Sequence, residues 1–212
     1  LIALAIVLPF ITPIYAPQLL AFPYRSSTAA GTVWSVDPLE PAMLAAAAKT
    51  ARERLATSPL ADTDERRPIF VTDGGWRWLW LAPASQGSFA ISRPLTKAVV
   101  INRTDPATGI ISNGAAVGGR RRLGTVLAHE FAHGLIRRHF GVFAAQGFSA
   151  WKTEGYCDHV AGESSLNDAQ AAALERSGAN HPALVYYHGR KGVAAFLASH
   201  SGDVDALFRG DD

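Results

Sequence analysis

The chain has 212 residues, 48% of them hydrophobic and 18% charged, with a formal net charge of +2. That length allows one domain, or a domain with an appendage, and so small a net charge provides no field for holding nucleic acid. A single cysteine excludes an intrachain disulfide.

Leu1 to Tyr24 carries no charged residue, and Arg25 ends the run. At a helical rise of ~1.5 Å per residue this stretch exceeds the roughly 30 Å hydrocarbon core of a bilayer. Residues 1–24 are therefore expected to be a membrane anchor, with prolines of the kind membrane helices tolerate; a signal-peptide remnant and a buried or surface-lying apolar arm are the alternatives. Residues 25–39, small and polar from Ser26 to Pro38, read as a linker, which leaves 40–212 as the folded domain. Glu40 to Thr57 is a predicted helix with Pro41 early, an alanine-rich body and Thr57-Ser58-Pro59 as its stop. Leu60 to Arg67 reads as a charged loop.

Short apolar runs bounded by turn residues follow: Ile69–Thr72, Trp76–Leu81, Ser88–Ser92, Ala98–Asn102 and Gly109–Ser112. They predict the strands of a small, mainly antiparallel sheet. As a strand, Trp76–Leu81 would place Trp76, Trp78 and Trp80 on one face. A helix is predicted to begin near Arg120, with Arg120, Arg121 and Arg122 opposing its dipole. Later helices are predicted over Ala169–Arg176, after Asn167-Asp168, and over Ala183–His200.

Within the helix that begins near Arg120 stands His129-Glu130-Phe131-Ala132-His133, the pattern H-E-x-x-H. Residues four apart on a helix share a face, so both imidazoles can reach one metal ion. Glu130 follows the first histidine, in the position of a general base. Downstream, Trp151-Lys152-Thr153-Glu154-Gly155-Tyr156-Cys157-Asp158 offers a third ligand in Glu154, since a catalytic zinc takes three protein ligands and His-His-Glu is a usual set. Asp158, one turn on, can accept the second imidazole N–H of a ligand histidine. His139 lies six residues after His133, but Ile136 stands where a sharp return of the chain would need glycine, so His139 reads as an exposed helix-end residue. Cys157 reads as a small core residue.

H-E-x-x-H followed by W-x-x-E-G-x-x-x-x-V-A, with an aspartate four after the glutamate, resembles the gluzincin metallopeptidases, the group of thermolysin and the zinc aminopeptidases. The resemblance covers about forty residues. It implies an α+β, zincin-like fold: a small sheet, then a helical half carrying the motif helix. It also implies one Zn2+ per chain on His129, His133 and Glu154, with Glu130 as base and Asp158 as partner of His129. An edge strand beside such a site can hold an extended peptide, and Ala98–Asn102 is the candidate. Gluzincins stabilise the oxyanion with a tyrosine or histidine. Tyr187, ahead of Phe196-Leu197, fits that offset, with Tyr186 and His188 as alternatives.

The expected activity is hydrolysis of a peptide or protein substrate by a zinc-activated water, endopeptidase rather than aminopeptidase. The expected setting is membrane-associated through residues 1–24, with the catalytic domain outside the cytoplasm. Two other readings remain: a membrane-tethered zinc-binding module without turnover, and a zinc hydrolase of a non-peptide amide.

Overall fold

The computed structural model describes residues 12, 15–61 and 65–210. Most of the expected anchor, residues 1–11 with 13 and 14, lies outside the described residues. Among the described residues no helix is long and apolar enough to cross a membrane. The end of that apolar run belongs to the domain. Pro17–Leu20 forms a single 3-10 turn, closed by Ala21 in the left-handed region. Leu20 and Phe22 are buried with Phe70, Trp78, Leu81 and Val100, so the expected helix does not reach Tyr24.

The stretch expected to be a linker is instead a hairpin, β1 (Tyr24–Thr28) and β2 (Gly31–Ser35), paired antiparallel. Its turn packs against the charged loop that follows the first long helix. Arg67 donates its backbone N–H to Ala30, and a side chain on Gly31 would stand 2.0 Å from the Arg67 carbonyl. That loop is itself anchored in the protein, because Glu65 and Arg67 are buried and ion-paired.

Helix α1 (Pro41–Leu55) starts on Pro41 and buries Leu44, Ala47, Ala48, Ala51 and Leu55, one face at helical spacing. It crosses from β2 to β3 (Ile69–Val71), and such a crossover makes the two strands parallel. β4 (Ala90–Ser92) and β5 (Val99–Ile101) complete a sheet of order β1-β2-β3-β5-β4. Two of its pairings are parallel, β2/β3 and β3/β5, and two antiparallel, β1/β2 and β4/β5. The sheet is thus mixed rather than mainly antiparallel. The expected edge, Ala98–Asn102, becomes the interior strand β5, and the edge is β4.

Both faces of this sheet are covered, so its inner strands read as unbroken apolar runs. Ile69, Val71, Val99 and Ile101 face the main core; Phe70 and Val100 face the smaller cluster on the other side. The second layer is closed by α2 (Trp76–Leu81), a helix where a strand was predicted. A six-residue apolar run suits either periodicity, and here Trp78 is buried, its indole donating to the Gln86 carbonyl at 3.0 Å, while Trp76 is exposed. The three tryptophans therefore do not share a face.

A second, antiparallel sheet holds β6 (Arg103–Thr104), β7 (Ile110–Ser112) and β8 (Arg120–Arg122). The arginine run is a strand, and α3 (Leu123–Phe140) starts directly after it. Then come α4 (Val142–Gly147), α5 (Ala150–Ala161), α6 (Asp168–Arg176), α7 (Ala183–Ser199) and α8 (Val204–Arg209). An asparagine capping box, Asn167 with Gln170, opens α6. The α+β class expected from the sequence is the class of the structure.

α5 and α7 cross at glycines. A Cβ on Gly155 would lie 2.4 Å from the backbone carbon of Gly189. Gly155→Ala is therefore expected to destabilise the fold by about 1–3 kcal/mol through overpacking, read as a lower denaturation midpoint.

Candidate metal centre

α3 is buried nearly all round, because α1, α5 and the main sheet pack against it. Its solvent window is the floor of a cleft of about 640 Å³, lined by His129, Glu130 and His133 from α3, Glu154 from α5 and Tyr186 from α7. The i, i+4 spacing brings the two imidazoles to an Nε2–Nε2 distance of 3.2 Å. α5 crosses α3 so that Glu154 Oε2 lies 3.2 Å from His129 Nε2 and 3.5 Å from His133 Nε2.

These three atoms form a nearly equilateral triangle. Ligands about 2.0–2.2 Å from a tetrahedral zinc are separated by about 3.3–3.6 Å, so the triangle matches three corners of such a site. His129, His133 and Cys157 also bring one ligand atom each to within 4.8 Å of one another, and that cluster can hold a metal ion. The two sets differ in fit. Cys157 is fully buried, and burial followed by the charges of Glu154, Glu130 and Asp158 raises its thiol pKa well above the ordinary value. Cys157 is also absent from the lining of the cleft, which Glu154 shares with His129 and His133. Glu154 is an ionised carboxylate: burial opposes its charge, but His133 and the hydrogen bonds from both histidines hold its pKa well below the usual range.

Behind the triangle, His129 Nδ1 donates to Asp158 Oδ1 at 2.7 Å, which aims Nε2 at the site. The same oxygen accepts from Arg121 Nη1 at 2.9 Å. Both partners are buried, with side chains 4% and 0% exposed for Arg121 and Asp158. Burial alone would raise the Asp158 pKa, but the Arg121 charge and the His129 hydrogen bond lower it. For His129, burial opposes the charged form, yet the hydrogen bonds to Asp158 and Glu154 outweigh it and raise the pKa to about 10.

Sequence reasoning missed Arg121, although strand alternation was the available signal. In β8 the middle arginine points inward while Arg120 and Arg122 stay exposed.

Of the candidate tyrosines, Tyr186 and not Tyr187 lines the cleft. Tyr187 points away from the cleft, its hydroxyl donating to Asp168 Oδ1 at 2.6 Å and accepting from Lys191. His188 is at the surface, paired with Glu175. Tyr186 lines the cleft, its ring centroid 6.5 Å from that of His129. Burial, reinforced by the negative charges of Glu154, Asp158 and Glu130, raises its pKa, so the phenol keeps its proton. His139 lies at the end of α3, bonded to Asp205 at 3.0 Å, outside the cleft.

The edge strand β4 forms one wall of the cleft. Asn102 N–H donates to Phe89 O and Arg93 N–H to Ala98 O, so Phe89, Ile91 and Arg93 spend their backbone groups on β5 and its extensions. By alternation, the backbone groups of Ala90 and Ser92 face the open edge. The chain matches no protein-family model, no curated protein and no solved structure.

Proposed function

We propose that this chain is a zinc-dependent metallopeptidase. The observation that carries the reading is the His129–His133–Glu154 triangle, 3.2, 3.2 and 3.5 Å on its sides, with Glu130 beside it in an open cleft. His129, His133 and Glu154 would hold the ion, and Asp158 would orient His129. A bound zinc ion supplies Lewis acidity, polarising a carbonyl and easing deprotonation of water near neutral pH.

The chain's own groups do the rest. Glu130 accepts the proton of the attacking water and passes it to the leaving amine. Tyr186, held protonated, donates to the oxygen on which negative charge develops. The open edge of β4 offers the N–H and C=O groups of Ala90 and Ser92 to an extended peptide, which favours a polypeptide over a small amide as substrate.

The test is incubation with a mixed peptide library, mass spectrometry of the products, and repetition after a chelator. Cleavage lost on chelation and restored by zinc supports the reading; no cleavage of any peptide by zinc-loaded protein overturns it. In the same assay Tyr186→Phe is expected to lower kcat by roughly ten- to a thousand-fold with little change in KM, whereas Tyr187→Phe leaves kcat near wild type.

A further inference from the structure

One turn beyond His133 on α3, Arg137 also lines the cleft. Among the described residues its guanidinium bonds only to Ser92 Oγ, at 3.0 Å, which ties it to the edge strand β4. The neighbouring acidic group Glu65 is already taken by Arg67 and Arg138. A half-buried guanidinium with one of its five N–H donors engaged and no carboxylate partner is held ready for an anion. Burial and the nearby Arg67 charge both oppose its charged form, whereas Glu130 and Cys157 favour it.

We propose that Arg137 is a specificity-determining residue that binds a carboxylate of the substrate. The proposal rests on the peptidase reading of the cleft. Ser92 lies on β4, so a peptide lying along that strand would pass within reach of the Arg137 guanidinium. The carboxylate belongs either to an acidic side chain or to the chain terminus. Either oxygen pair suits the planar fork of the guanidinium, which remains anchored through Ser92.

The test uses binding, so that it does not depend on turnover. Fluorescence anisotropy would follow zinc-supplemented Glu130→Gln protein titrated with labelled five-residue peptides. The set comprises a neutral amide-capped peptide, the same peptide with a free C-terminus, and versions with one internal Gln replaced by Glu at each position. One carboxylate placement is expected to tighten binding by roughly ten- to a hundred-fold. Preference for the free terminus identifies the chain end as the source, and preference for an internal Glu identifies a side chain.

Adding Arg137→Gln is expected to abolish the preference while the neutral peptide binds as before, and Arg137→Lys to retain part of it, since charge survives and the fork does not. Equal binding of acidic and neutral peptides, or a preference that survives Arg137→Gln, overturns the proposal. Failure of the peptidase reading shows separately, as absence of cleavage when the same peptides meet protein with Glu130 intact.

Discussion

Glu130→Gln is expected to leave zinc content unchanged and to lower kcat for peptide cleavage by roughly 10²–10⁴-fold, the span of a positioned general base. The amide matches the carboxylate in shape, so packing around a residue only 6% exposed is preserved while proton acceptance is lost. In the proposed centre Glu130 is no ligand; the ligand atoms would come from His129, His133 and Glu154. The pair of measurements, metal content and kcat, thus separates chemistry from metal loss. A variant that retains wild-type kcat would move the base to another group, and one that loses its zinc would make Glu130 part of the metal's support.

The second large effect lies behind the metal centre. Arg121→Met is expected to lower the free energy of unfolding by about 3–5 kcal/mol, because it leaves the buried Asp158 charge without its guanidinium. Asp158→Leu takes from Arg121 its carboxylate partner at 2.9 Å, leaving Glu163 with its carbonyl at 2.9 Å and its carboxylate at 4.0 Å, and removes the acceptor of His129 Nδ1, so zinc affinity should also fall by roughly 10–100-fold. Replacing both, as Arg121→Met with Asp158→Leu, removes two buried charges together and is expected to cost less stability than the sum of the single changes. Zinc affinity does not recover in the double variant, since His129 still lacks its acceptor. Chemical denaturation and zinc competition measure the two effects independently. Losses of stability that simply add would show that Arg121 and Asp158 do not act as a pair.

How much of this was legible in the chain depends on how local the signal was. The closeness of His129 and His133 was, because helix periodicity sets them on one face of α3, and the same rule sets Glu154 and Asp158 one turn apart on α5; the approach of Glu154 to the histidines depends on how α5 crosses α3 and was implied only by the resemblance. The α+β class followed from the run of short apolar segments before long helices. Pairing within the sheet did not, because it depends on the crossover of α1 and on which strand ends at the edge. β1 is almost wholly exposed, so nothing in its polar sequence marked it as structured, and β4 gained its place beside the site only from the order of strands.

Trp76–Leu81 illustrates a different limit: six apolar residues fit a strand or a helix, and the burial of Trp78 decides. For the adjacent Tyr186 and Tyr187, helix geometry turns each by about 100° from the other, so an error of one residue changes the side of the helix entirely. Arg121 was masked by its neighbours in a run of three arginines. The inward aim of the middle one appears only once Arg120–Arg122 is known to be a strand.

We propose that His129, His133 and Glu154 hold a zinc ion. Metal content by mass spectrometry on wild type, Glu154→Ala, Cys157→Ala and His139→Ala decides this. Close to one zinc per chain in wild type, lost with Glu154→Ala and kept with Cys157→Ala and His139→Ala, is the expected result. Zinc lost with Cys157→Ala but kept with Glu154→Ala would move the site to the His129, His133 and Cys157 cluster. No zinc in any of them, even after its addition, would contradict the metal centre itself.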